Sequence, residues 1–167
     1  MVTHVLIVLP HNVILFGATV VMLTIGGLTD LTGRVVPNRL TYTSIVVGGA
    51  LVMMTGCFVT LWLKYVIVGT FVVPVTYFLF RIGAIGGGDA KILLAINIMT
   101  PGFVFVEGFQ WTILEVVTGY CGVVMPALTL AILTKNTGRT MRFPLVPFFL
   151  VAYVSIQMAL ALVLSQA

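Results

Sequence analysis

Charge is scarce in this chain, and so are the side chains most enzymes use for nucleophilic or metal chemistry. Its 167 residues include 4 acidic side chains, 8 basic ones, 2 histidines and 2 cysteines. Soluble domains carry roughly a quarter charged residues, and at 7% this chain cannot cover a water-exposed surface. The same shortage excludes coiled coils and disordered chains. Cys57 and Cys121 lie inside apolar runs and form no CxxC, so neither a zinc site nor a structural disulfide is indicated. The HExxH pattern is missing, and His4 and His11 complete no Ser-His-Asp or Cys-His set. No metal and no cofactor is therefore expected. The formal charge of +4 comes from basic residues scattered singly between apolar segments, so membrane topology accounts for it and no nucleic acid is expected as a partner.

Apolar residues are what the chain has: they make up 60% of it, with a mean hydropathy of +1.23. Runs of about 20 apolar residues match the hydrocarbon thickness of a bilayer. Six are expected to span, at 11–29, 42–61, 65–81, 89–107, 110–133 and 144–164, the fourth interrupted by Thr100, Pro101 and Gly102. The first lacks a basic flank before it and is read as a span, not as a cleaved signal. None alternates with a period of two, so strands are not expected. The fold class is an all-α membrane protein of six transmembrane helices in one domain, residues 1–167, set multi-pass in the cell's inner or plasma membrane.

The basic residues orient the helices. Arg34 and Arg39, then Arg81 and Lys91, then Lys135, Arg139 and Arg142 fall in three alternate connections, leaving only Lys64 for the opposite side. By the positive-inside rule those three connections are cytoplasmic and both termini extracytoplasmic. Glu107 reads as an interfacial cap near the outer turn. Glu115, deeper, either pairs with Lys64 or meets water.

The only two aspartates then lie at one membrane level, Asp30 closing the first span and Asp89 opening the fourth. A carboxylate near hydrocarbon is expensive unless it faces a bundle interior or a wet cavity. If those two helices touch, the carboxyls share a site, and two that share a proton divide into base and acid. Such a pair can activate water against a peptide carbonyl and protonate the leaving nitrogen. Around Asp89, Gly83, Gly86, Gly87 and Gly88 leave backbone open to a bound peptide and permit unusual angles. They lack the spacing of a nucleotide-phosphate loop. Lys91, two residues on, points away from the Asp89 face and is expected to snorkel to the interface. After Asp30, Pro37 stiffens the entry to the second helix and Asn38 caps it or bonds to a turn. Thr29, Thr32 and Gly33 either tune Asp30 or satisfy local backbone. Simpler readings of the aspartates are helix caps touching Arg34, Arg39 or Arg81, in a non-catalytic scaffold, or carriers of protons or ions in a small transporter. Against transport, both acids sit at one edge, with the midplane nearly free of ionisable groups.

The segments TDLTGRVVPNRLT and GGGDAK resemble the two active-site regions of the prepilin leader peptidases, membrane aspartyl proteases of the GxGD type. Asp30, followed by Pro37, Asn38, Leu40 and Thr41, matches the first region. Gly86, Gly87, Gly88 and Asp89, then Ala90 and Lys91, match the second. The run from Arg142 to Tyr153 is similar to the family's final-helix signature, without a glycine usual soon after it. The resemblance implies catalytic Asp30 and Asp89, with Gly86, Gly87, Gly88, Pro37, Asn38 and Lys91 shaping the site or meeting substrate. It implies as substrate a prepilin-like precursor, cut after a glycine at the boundary of its short basic leader, on the cytoplasmic face. Arg34, Arg39 and Arg81 do not suit a basic leader and serve topology or anionic lipid. Longer members carry paired CxxC motifs and also methylate the product. This chain has no CxxC motif and resembles the short Flp/Tad or archaeal forms, so no methyltransferase activity is expected.

Overall fold

A computed structural model describes residues 10–33, 36–103, 112–135 and 144–165. Every regular element among them is helical. Helix α1 covers Pro10–Gly33 and α2 covers Asn38–Met54. Short helices α3 (Cys57–Thr60) and α4 (Trp62–Ile67) lead through a π-helical turn, Val68–Val72, into α5 (Val73–Arg81). Helices α6 (Gly87–Met99), α7 (Thr112–Lys135) and α8 (Val146–Ser165) follow.

Helices occupy all six places where spans are expected. Among the described residues four are long and apolar enough to cross a membrane: Asn12–Gly33, Trp62–Arg81, Thr112–Thr129 and Val146–Val163. The other two stop short for local reasons. Helix α2 does not run on to residue 61, because Gly56 takes a left-handed φ of 72° and starts a new turn. Helix α6 ends at Met99, before Pro101, and Gly102 follows with φ 81°. Its 13 residues extend only about 20 Å. Within the third rod Pro74 has no N–H for the helical ladder. The bonding slips there, and the Val73 N–H is donated to the Val68 carbonyl five residues back.

The bundle is apolar outside and partly polar within. Val21, Val46, Met54, Val59, Ile113, Val151 and Leu162 are exposed, whereas Thr19, Lys64, Asn97, Glu115 and Gln157 are buried. Burial of polar side chains beneath an apolar outer surface suits lipid as solvent. Helix α1 packs chiefly on α8, α2 on α6, and α7 on α8.

Lys64, expected in the short turn between the second and third spans on the opposite side, is placed differently. It lies inside α4, buried, and its ammonium bonds the Glu115 carboxylate on α7. Glu115 thus takes the pairing alternative. Its Oε1 also accepts the Phe103 N–H at 3.2 Å, which fixes the chain just past the α6 break. His4, Arg34, Glu107, Arg139 and Arg142 lie outside the described residues, as do the side chains of His11 and Lys135.

Candidate active site

Gly26 is where the site begins. A Cβ on Gly26 would stand 3.1 Å from Ile92 Cδ1 and 3.3 Å from Val146 Cγ1, so α1, α6 and the start of α8 converge there. Asp30 follows Gly26 by four residues on the same face of α1, and Asp89 precedes Ile92 by three on the same face of α6. The helices run in opposite directions, so both steps lead to the same end of the bundle. The fold therefore brings Asp30 and Asp89 to one level and one side.

Each carboxylate is held by a backbone amide. Asp30, buried, accepts the Val146 N–H on Oδ2 at 3.2 Å. Val146 is the first residue of α8, whose opening N–H groups have no partner within the helix, so Asp30 satisfies one of them from 116 positions away. Asp89, partly exposed, turns back one turn, and its Oδ2 accepts the Gly86 N–H at 3.1 Å. Asp89 sits at the loop end of α6, outside the four apolar spans.

The four glycines before Asp89 have different surroundings. Gly83 closes α5 with φ 74°, its N–H donated to the Phe80 carbonyl and the next N–H to that of Leu79. At Gly86 any Cβ would fall 2.8 Å from Asp89 Oδ2. Gly88 differs from its expectation. It does not leave backbone open, because Val36 packs against it, 3.2 Å from where a Cβ would stand. Gly87 faces the edge of the Phe80 ring.

One expectation for the loop after Asp30 is corrected. The N-cap of α2 is Pro37 with no side-chain cap, and Asn38 instead accepts a hydrogen bond from Lys91 Nζ on Oδ1 at 2.7 Å. Lys91, expected to snorkel, is thereby tied to α2. It also lies 5.1 Å from the centre of the Tyr42 ring. Thr29 and Thr32 donate to the Gly26 and Leu28 carbonyls of their own helix, which is the local-backbone alternative.

The described parts of the matched segments thus lie together at one end, with Val146 of the final-helix signature beside them. A family model described as the type IV leader peptidase family matches residues 17–164, nearly the whole chain. The chain belongs to that family. No curated protein and no solved structure matches it significantly. Membership in a leader peptidase family, with four apolar helices of spanning length, makes this a multi-pass membrane protein of peptidase type. Two contributors to the candidate site are not foreseen as such from sequence. The Val146 amide and Val36 carry no reactive group, and their only signal is position, one inside the final-helix signature and one just before Pro37.

Proposed function

We propose that this chain is an aspartyl endopeptidase that removes the short basic leader of prepilin-like precursors at the cytoplasmic membrane face. It would act as one six-helix membrane domain with extracytoplasmic termini and no methyltransferase activity. The observation that carries the reading is the shared level of Asp30 and Asp89, each anchored by a backbone amide.

In the proposed reaction one carboxylate is ionised and the other protonated. The ionised group takes a proton from water as the water oxygen bonds to the scissile carbonyl carbon. The tetrahedral intermediate collapses, the C–N bond breaks, and the protonated carboxyl gives its proton to the leaving nitrogen. The pair titrates as a unit, so base and acid are roles of the dyad and not of either residue. Asp30, buried against α8, is the more enclosed partner. Asp89, partly exposed beside the glycine loop, is the one an extended leader reaches first. A site at the membrane edge suits such a substrate, whose apolar segment stays in lipid while its leader enters from water. The arginine and lysine distribution puts that edge on the cytoplasmic side.

Co-expression with prepilin-like precursors from the same genome tests the reading. A gel shift with a new N-terminus directly after the leader glycine is expected. Precursors that stay uncut while the protein is correctly inserted would overturn it.

A further inference from the structure

Lys91 and Asn38 stand on different helices, 53 residues apart, and meet at the end of α6 that carries Asp89. The Lys91 ammonium donates to Asn38 Oδ1 at 2.7 Å and lies 5.1 Å from the Tyr42 ring centre. Asn38 and Tyr42 are four apart on α2, so the ammonium is gripped by two points of one face. Three residues before Lys91, Gly88 receives Val36. Val36 and Asn38 flank Pro37, so the segment leading into α2 is held to the first turns of α6 at two places. One is a close packing contact, in which a Cβ on Gly88 would stand 3.2 Å from that of Val36. The other is a cation bonded to an amide oxygen.

We propose that Lys91 is a positioning residue: its bond to Asn38 clasps the Val36–Asn38 segment to the helix that carries Asp89 and so keeps the wall of the dyad in place. The proposal rests on the peptidase reading for its kinetic consequence, and on the geometry alone for the clasp. Lys91 does not enter the reaction. Its ammonium is occupied by α2, and the residue faces away from the Asp89 side of α6. Methionine in place of Lys91 keeps the apolar stem and removes the donor. Leucine in place of Asn38 removes the acceptor while keeping the size.

The test uses the full chain in lipid nanodiscs, as wild type, K91M, N38L, the double variant and K91R. Hydrogen exchange is read over the amides of residues 41–44, the first bonded turn of α2. Either single change is expected to speed exchange about fivefold, the loss of one exposed hydrogen bond, and the double variant no more than either alone. Precursor cleavage is expected to lose roughly ten- to a hundredfold in kcat with KM unchanged, and K91R to recover most of it. Unaltered exchange, or additive effects in the double variant, overturns the clasp. Faster exchange with an unaltered kcat overturns the positioning role, and a raised KM with normal kcat makes Lys91 a substrate contact instead. If the wild type cuts no precursor, the peptidase reading fails separately, and exchange alone decides whether the clasp exists.

Discussion

The carboxylate of Asp30 caps a helix that begins 116 residues later: its Oδ2 accepts the Val146 N–H at 3.2 Å. One group thus holds the start of α8 and lies at the same end of the bundle as the second aspartate. These two tasks separate under substitution. An asparagine in place of Asp30 would still offer an oxygen to Val146, whereas an alanine would leave the amide without an acceptor. D30N is expected to unfold within about 0.5 kcal/mol of wild type, and D30A to lose about 1–3 kcal/mol, by denaturation in mild detergent. Equal stability of the two variants would show that the bond contributes nothing.

Gly86 tests the glycine loop. A methyl in place of its hydrogen collides with the Asp89 carboxylate, the Cβ falling 2.8 Å from Oδ2, while Gly86 is itself exposed. G86A is expected to fold normally and to lose roughly tenfold or more in precursor cleavage, because a displaced catalytic group is costly. Wild-type cleavage by G86A would mean that the bond from the Gly86 amide does not orient Asp89.

The pH dependence follows from the dyad, which needs one ionised and one protonated carboxyl. Raising the pH until the pair has lost its last proton leaves both carboxylates ionised, with no proton for the leaving nitrogen. The cleavage rate is expected to fall by about tenfold per pH unit above the transition. At the acid end it falls again, once both groups are protonated and no base remains. A rate that climbs steadily from about pH 6 to about pH 9 would contradict the dyad as acid–base pair.

Lys64 and Glu115 lie apart from the aspartates and should matter to folding alone. K64M leaves Glu115 buried without its cation and is expected to cost about 3–5 kcal/mol. Adding E115Q, which still accepts the Phe103 N–H, should recover much of that, so the cycle is strongly non-additive. Thermal unfolding of the two single variants and the double variant measures it. Additive losses would mean that the pair is not coupled.

How far the sequence carries depends on the kind of interaction. Apolar runs and the Thr100–Gly102 break are local, and helices stand where the runs predict them, with α6 ending at the break. Loop charges bring Asp30 and Asp89 to one level, because topology constrains whole helices. The end of α2 is not legible because Gly56 sits inside an otherwise apolar run, where its left-handed turn leaves no mark in hydropathy. Asn38 reads as a cap because its partner is on another helix. Gly88 is filled by Val36, a packing relation that neither residue's neighbours disclose. Lys64 reads as a topology signal by charge count, yet a buried acid within reach changes where it points.

The central claim is that Asp30 and Asp89 together cut a leader peptide bond. The most direct measurement compares wild type, D30N and D89N, purified and reconstituted, on one precursor, with circular dichroism to establish that all three are folded. Both variants are expected to lose cleavage by ~10²–10⁴-fold or more while keeping their helical content. Processing at the wild-type rate by either folded variant would contradict the account.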